Sequence, residues 1–173
     1  MSGPDTLRTA RLILRPVQPL DAAPLTELAD DFDVVRMTTR MPFPYTLTDG
    51  RTFTERAAQA DPAREATWVV TDEAGPQGVL GFFSDGAYAP ELGYWFGRRT
   101  WGRGYATEAV GAAVAWADGV WRKPCLLARC FTDNPASGRV LEKTGFLTTG
   151  IPGRRYSVAR RDTYPCREYL RIA

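Results

Sequence analysis

The chain has no histidine among its 173 residues. That removes the serine–histidine–aspartate triad, the cysteine–histidine pair and the usual histidine-containing zinc sites. Any acid–base chemistry has to come from carboxylates, tyrosine, lysine, cysteine or ordered water. Cysteine is scarce as well. Cys125, Cys130 and Cys166 are odd in number and show no C-x-x-C spacing, which reads as reduced thiols in a cytoplasmic protein, with no metal expected. Neither sign of charge prevails: the formal net charge is +2, and nothing in it calls for nucleic acid or an anionic membrane. The first ten residues are polar and lack the apolar centre of a signal peptide. No apolar run approaches the ~18 residues that a membrane span needs.

What is present is ordinary for one globular unit. Apolar residues make up 44% and charged residues 24%, and the length suits a single domain, taken as 7–173 behind a short extension 1–6. Leu12–Leu14 reads as a first strand ended by Pro16, and a helix carrying Leu25 and Leu28 follows. Residues 37–48 form an aromatic, proline-containing loop, and Thr48 or Asp49 is placed to cap a second helix through Gln59. The period then changes to two. Trp68–Thr71 and Val79–Phe83 read as a hairpin around Gly75-Pro76, and Glu91–Phe96 as a further strand. Ala106, Ala109, Val110, Ala113, Val114 and Ala117 form one apolar stripe of a helix over 103–118. Cys125–Cys130 is the next strand. Asn134 caps a helix with Pro135 in its first turn, and Gly145 stops it. Phe146–Thr149 and Cys166–Ile172 close the chain. This order predicts an α/β (α+β) fold: a mixed sheet of about six to seven strands flanked by about four helices.

The most informative stretch runs from Tyr94 to Ala109 (YWFGRRTWGRGYATEA). An aromatic strand enters a glycine-rich turn and then an amphipathic helix. Gly102 and Gly104 allow close approach of the backbone. The helix N-terminus offers unpaired amides and the positive end of its dipole, a place for phosphate or pyrophosphate. Arg103 can add charge and Thr107 a hydroxyl. No Lys-Ser/Thr follows as in a P-loop, and Thr107 stands where a dinucleotide fingerprint needs Gly or Ala. About thirty residues on, Asn134-Pro-Ala-Ser137-Gly-Arg139-Val-Leu141-Glu-Lys143-Thr-Gly145-Phe146 opens a second helix directly after a strand.

This pair of stretches resembles the GNAT acyltransferase superfamily, in particular its RimJ/RimL-like branch of protein N-terminal acetyltransferases. The opening Thr9-Ala-Arg-Leu-Ile-Leu-Arg-Pro16 and the Glu91-Leu-Gly-Tyr-Trp95 strand are similar to that branch too, so the resemblance spans about Leu7 to Ile172. It implies an N-acetyltransferase that moves the acetyl group of acetyl-CoA to a primary amine by direct attack in a ternary complex. The implied acceptor is a protein or peptide N-terminus. A small amine (aminoglycoside, polyamine or amino acid) is an alternative acceptor, and a non-catalytic acyl-CoA sensor is an alternative function.

The family signature Q/R-x-x-G-x-G/A falls on Trp101-Gly102-Arg103-Gly104-Tyr105-Ala106, with Trp101 in the Gln/Arg place. By resemblance the amides from Gly102 to Thr107 hold pyrophosphate. The fourth strand, Glu91–Phe96, is expected to splay from the fifth, Cys125–Cys130, into a V-shaped cleft for pantetheine. A freed backbone N–H near Tyr94, Trp95 or Phe96 would polarise the thioester carbonyl. Asn134 is a pantetheine contact, an N-cap, or both. Arg139 and Lys143 share a helix face and reach CoA phosphate or only solvent. Glu91 is the candidate base, with Glu108 as rival. Many family members carry a proton-donating tyrosine seven residues after the asparagine; here that residue is Leu141, leaving Ser137 or water as donor.

For the acceptor, Met41, Phe43, Tyr45 and Phe53 line a pocket or belong to the core. Asp30, Asp31 and Asp33 are a solvated turn or suit a cationic acceptor, whereas Arg154, Arg155, Arg160 and Arg161, read as a loop before the last strand, are an ordinary basic loop or suit an anionic acceptor or the CoA 3′-phosphate. The expected assembly is a monomer or homodimer, without nucleic-acid or membrane partners.

Overall fold

The segments of period two join into one continuous sheet. The computed structural model describes residues 4–84 and 89–173. Its eight strands are β1 (Leu7–Arg8), β2 (Ile13–Pro16), β3 (Ala66–Asp72), β4 (Gly75–Phe83), β5 (Glu91–Phe96), β6 (Cys125–Phe131), β7 (Leu147–Ser157) and β8 (Asp162–Ile172). They lie in the order β1-β2-β3-β4-β5-β6-β8-β7. Every pairing is antiparallel except that of β5 with β6. Five α-helices accompany them: α1 (Ala22–Ala29), α2 (Phe32–Val35), α3 (Leu47–Gln59), α4 (Tyr105–Trp116) and α5 (Pro135–Lys143).

Alternation along the strands sorts the helices to two faces. Val70, Leu80, Phe82, Leu92, Phe96, Leu126 and Ala128 pack with Tyr105, Ala109, Val110 and Ala113 of α4 and Leu141 of α5. Val69, Val79 and Trp95, on the intervening positions, pack with Leu25 of α1 and Phe53 of α3. Trp68 anchors the larger core. It is fully buried, meets Trp116 edge-on at 5.0 Å between centroids, and donates its indole N–H to the Asp5 carbonyl at 2.8 Å.

The sheet is longer than the six to seven strands expected. β1 has only two residues, paired Leu7 to Leu14 and Arg8 to Ile13, too few to show a period. Four-residue α2 escapes notice for the same reason. Helix α3 is capped by Thr46 rather than Thr48 or Asp49. Its Oγ1 accepts from Asp49 N at 3.4 Å while Asp49 Oδ2 accepts from Thr46 N at 2.8 Å, a reciprocal capping box. The β3–β4 turn lies on Glu73–Ala74, with Asp72 opposite Gly75, just ahead of Gly75-Pro76. The largest difference is β7. It continues to Ser157, so Arg154 and Arg155 belong to a strand and only Arg160 and Arg161 to a turn.

Candidate active site

The single parallel pairing shapes the site. β5 and β6 pair only at Glu91 with Leu127 and Leu92 with Ala128; beyond Leu92 they diverge into a V. Peptide groups alternate between a strand's two neighbours. The Pro90 carbonyl accepts from Leu127 N on the β6 side, and Gly97 N donates to Gln77 O on the β4 side. The peptides of Leu92, Tyr94 and Phe96 therefore turn toward β6. At Tyr94 and Phe96 no strand meets them. The Phe96 carbonyl is instead taken by the Trp101 indole N–H at 2.9 Å, so the N–H and C=O of Tyr94 and the N–H of Phe96 remain open to the gap. Unpaired backbone of this kind is what an extended ligand arm can join as an added strand.

One end of the gap meets the glycine turn. Gly102 and Gly104 both adopt left-handed backbone, φ +74° and +79°, which side-chain-bearing residues resist. Residues 101–104 are exposed. The first amide of α4 with a backbone partner is Glu108, donating to Gly104 O at 3.1 Å. The preceding amides of Tyr105, Ala106 and Thr107 are unpaired, as at any helix N-terminus, and point at the turn. Two cations flank it. Arg103 and Arg11 stack on the Tyr105 ring at 4.8 and 4.9 Å, and Tyr105 donates its hydroxyl to Asp72 at 3.0 Å. Arg11 had no expected role here. It is fixed to Glu108 through Nε at 2.7 Å and to Arg103 O at 2.9 Å. Glu108, the rival base, is thereby occupied: it also accepts from Thr9 Oγ1 at 2.6 Å.

Asn134 and Ser137 lie where α5 begins. Asn134 Oδ1 accepts from Ser137 N at 3.2 Å, so Asn134 is an N-cap. Ser137 Oγ stands 2.8 Å from the Tyr94 hydroxyl, and burial raises that phenol well above its ordinary pKa, keeping it protonated. Cys130, whose thiol burial also pushes up, adjoins Ser137. Leu141 is 1% exposed within the core. Arg139 and Lys143 are exposed on the next turns of α5.

On the opposite face, Glu91, Gly93 and Trp95 stand in a row. Gly93 leaves the sheet bare between its neighbours, and a Cβ there would lie 3.4 Å from the Phe83 ring. Tyr45, Met41 and Ala159 pack beside Trp95. Phe53 sits in the α1–α3 core, while Phe43 is exposed and paired edge-on with Phe32 at 5.3 Å. The aspartates do not form a free acidic patch. Asp31 and Asp33 both bind Arg98, which holds their carboxyls below the ordinary range, and Asp30 accepts from Tyr45 N at 3.1 Å. Glu91 is not free either. Its Oε2 is hydrogen bonded by Arg129 Nη1, and Arg129 also holds Glu168 through Nη2 at 2.6 Å. Arg155 stands 3.9 Å from the same Glu91 oxygen. A lone arginine in the apolar run Cys125-Leu-Leu-Ala-Arg-Cys-Phe131 was the available signal for Arg129; a strand of this burial carries a cation only against carboxylates.

A sheet splayed between its parallel strands β5 and β6, with a left-handed glycine turn and an uncapped helix N-terminus at the mouth, fits the acyltransferase expectation. The family model for the acetyltransferase (GNAT) domain matches residues 11–147. The chain belongs to the GNAT acetyltransferase family. It is an acyltransferase of that family, whose donor is acetyl-CoA. No sequence among curated proteins matches it. Solved structures similar in fold include the GNAT-family acetyltransferase from Bacillus anthracis, with 22% identity over 97% of this chain and 98% of that one, at TM-score 0.82. RimL, the ribosomal L7/L12 alpha-N-protein acetyltransferase solved with coenzyme A, shares 17% identity over 97% and 98% at TM-score 0.84. Ribosomal-protein-S5-alanine acetyltransferase from Vibrio fischeri shares 15% over 98% and 97% at TM-score 0.83. Among the described residues no helix is long and apolar enough to cross a membrane, and no cluster of potential metal ligands occurs.

Proposed function

We propose that this GNAT enzyme acetylates the α-amine of a protein or peptide N-terminus, with acetyl-CoA and acceptor bound together. The observation that carries the reading is the gap beyond Leu92. It has Tyr94's unpaired peptide at its wall, the α4 N-terminus at one end and the bare Gly93 groove on the other face. An extended chain end with little side chain at its first residues suits such a groove. RimL and the S5-alanine enzyme, named for α-amine and alanine acceptors, share the fold.

Acetyl-CoA supplies an acetyl group activated as a thioester; the protein supplies position and charge. The amides of Gly102 and of Gly104 to Thr107 receive pyrophosphate at the positive end of the α4 dipole, that of Arg103 being taken by Thr100 O at 3.3 Å. Arg103 adds charge there, and Arg139 and Lys143 reach outlying phosphate. The peptides of Tyr94 and Phe96 align the pantetheine arm, and an N–H of this strand faces the charge that develops on the carbonyl. Asn134 bounds the arm; Trp95, expected beside it, instead turns its peptide to β4 and its ring to the α1–α3 face. Glu91 receives the amine and, directly or through water, its proton. Arg129 fixes the direction of that carboxylate. Ser137, coupled to Tyr94, returns a proton to the departing sulfur. Holding both substrates in one cleft supplies much of the rate.

Glu91→Gln separates catalysis from sensing. The expected result is a fall of ~100-fold or more in thiol release, within the range for a general base, with acetyl-CoA affinity by calorimetry unchanged. Unchanged turnover would remove Glu91 from the chemistry. Tight acetyl-CoA binding by the wild-type chain with no release on any amine would replace the transferase reading with that of a sensor.

A further inference from the structure

Three buried side-chain polar atoms lack a hydrogen-bond partner among the described residues, and all belong to the β7–β8 hairpin: Ser157 Oγ, Arg160 Nε and Arg160 Nη2. The Arg160 side chain is 6% exposed. It is sandwiched 4.0 Å from the Tyr164 ring centroid and 4.3 Å from that of Phe131, and its Nη1 donates to Asp133 Oδ2 at 2.7 Å. Ring faces answer the charge above and below a guanidinium plane, but not its in-plane N–H groups. A buried donor edge left unmet is costly, and calls for an acceptor.

The same hairpin lies over the acceptor face. Val158 N donates to Thr39 O at 3.1 Å, and Ala159 packs against the cluster of Ala29, Val35 and Tyr45 that Trp95 also joins. Arg155 is the cross-strand partner of Tyr164, so its side chain leaves the sheet on the same face as the Tyr164 ring that Arg160 covers. The Arg155 side chain is 43% exposed and, among the described residues, has only the 3.9 Å approach to Glu91 Oε2, an oxygen that Arg129 already holds. Among the described residues its donors have no closer partner at the place assigned to the acceptor amine.

We infer that this hairpin selects acceptors whose amine-bearing residue also carries a carboxylate, with Arg155 as the group that receives it. This rests on the reading of Glu91 as receiver of the amine. An ammonium at Glu91 and a carboxylate at Arg155 sit a few ångströms apart, as do the two charges of an acidic N-terminal residue or a free amino acid. The unmet edge of Arg160 behind Tyr164 adds positive potential of the same sign. A neutral residue gains nothing from Arg155, and a cationic one is repelled.

The test uses the whole chain saturated with acetyl-CoA and four acceptors: the amidated tripeptides Asp-Gly-Gly, Ala-Gly-Gly and Lys-Gly-Gly, and free alanine. Thiol release gives kcat/KM, and calorimetry in the presence of coenzyme A gives binding. The Asp peptide, free alanine or both should exceed the Ala peptide ~10-fold, a single well-placed ion pair's worth, with the Lys peptide lowest. Which of the two leads distinguishes a side-chain from an α-carboxylate. R155A should bring the favoured acceptor down to the Ala level, and R155E should place the Lys peptide above Asp. Neither touches the buried Arg160 stack, so both should fold.

Equal turnover of all four acceptors, free alanine included, would overturn the inference and leave N-terminal acetylation standing. Carboxylate-dependent binding lost in R155A, without turnover of any acceptor, would support it and overturn the transfer reading. Neither turnover nor carboxylate-dependent binding would overturn both.

Discussion

The Trp101 indole donates to the Phe96 carbonyl at 2.9 Å, tying the glycine turn back to the strand it leaves. It occupies the last carbonyl of β5 that faces the gap, and so leaves the Tyr94 peptide as the open pair. Trp101 stands where the family signature carries Gln or Arg, and its indole N–H is engaged inside the protein. Its expected part in cofactor binding is therefore to hold the strand end. In Trp101→Phe the carbonyl loses its donor at a site that water can reach, so urea unfolding should show a loss of about 1 kcal/mol. Coenzyme A affinity should fall ~3- to 10-fold as the strand end loosens, a loss of comparable size on the free-energy scale. Unaltered affinity in a destabilised variant would confine Trp101 to folding.

The two turn glycines separate backbone strain from ligand contact. A Cβ at Gly102 would meet nothing within 4 Å, whereas one at Gly104 would lie 3.4 Å from Arg11 Nη2. Gly102→Ala therefore costs the free protein only the left-handed strain, about 1–2 kcal/mol. If the neighbouring amides cradle pyrophosphate, the new methyl stands where the ligand must approach. Thermal unfolding with and without coenzyme A reads both effects: the Tm of the free variant should drop by a few degrees, while the ligand-induced rise should all but vanish. A rise as large as in the wild type would move the phosphate away from this turn.

The sequence exposes what is periodic or local and hides what is assembled. Glu91–Phe96 and the Asn134 cap are legible because alternation and capping are properties of a few neighbouring residues. The extension of β7 to Ser157 is not. Gly150, Pro152 and Gly153 read as loop, and a register shift between Thr148 and Pro152 interrupts the pairing. Pairing with β8 overrides those residues' poor strand propensity. The same tertiary blindness misassigns charge. Arg98 crosses to Asp31 and Asp33, and Arg129 to Glu91 and Glu168, over separations of 38 to 67 residues. The aspartates read as a binding patch or a solvated turn are instead tied down, Asp31 and Asp33 by Arg98 and Asp30 by the Tyr45 N–H.

Arg129 holds two carboxylates with a guanidinium that is 21% exposed. Desolvation alone would lower its pKa, but Glu91 and Glu168 outweigh that and raise it. Arg129→Met leaves the two carboxylates facing each other across β6, with Arg155, 3.9 Å from Glu91 Oε2, as the one cation still near them among the described residues. A loss of about 1–3 kcal/mol is expected, below the range for fully buried pairs because solvent reaches this one. Adding Glu168→Gln removes one of the stranded charges and should restore part of it. Urea unfolding of the single and double variants measures the coupling, and independent, additive losses would show that the three residues do not act as a unit.

Glu108 links the N-terminal hairpin to α4, and its titration should be visible in stability. Burial acts against its charged form, but hydrogen bonds from Thr9 and Arg11 prevail and hold its carboxyl below the ordinary range. A carboxyl depressed in the folded state contributes stability that is fully present above its unfolded pKa of about 4.3. That contribution fades as pH falls through the folded value. Glu108→Gln should therefore be less stable than the wild type at pH 7, and the gap should close as both are titrated from about pH 5 toward pH 2, below the unfolded value. Urea midpoints across that window measure it. A gap that stays constant with pH would mean that Glu108 acts as a hydrogen-bond acceptor whose charge contributes nothing.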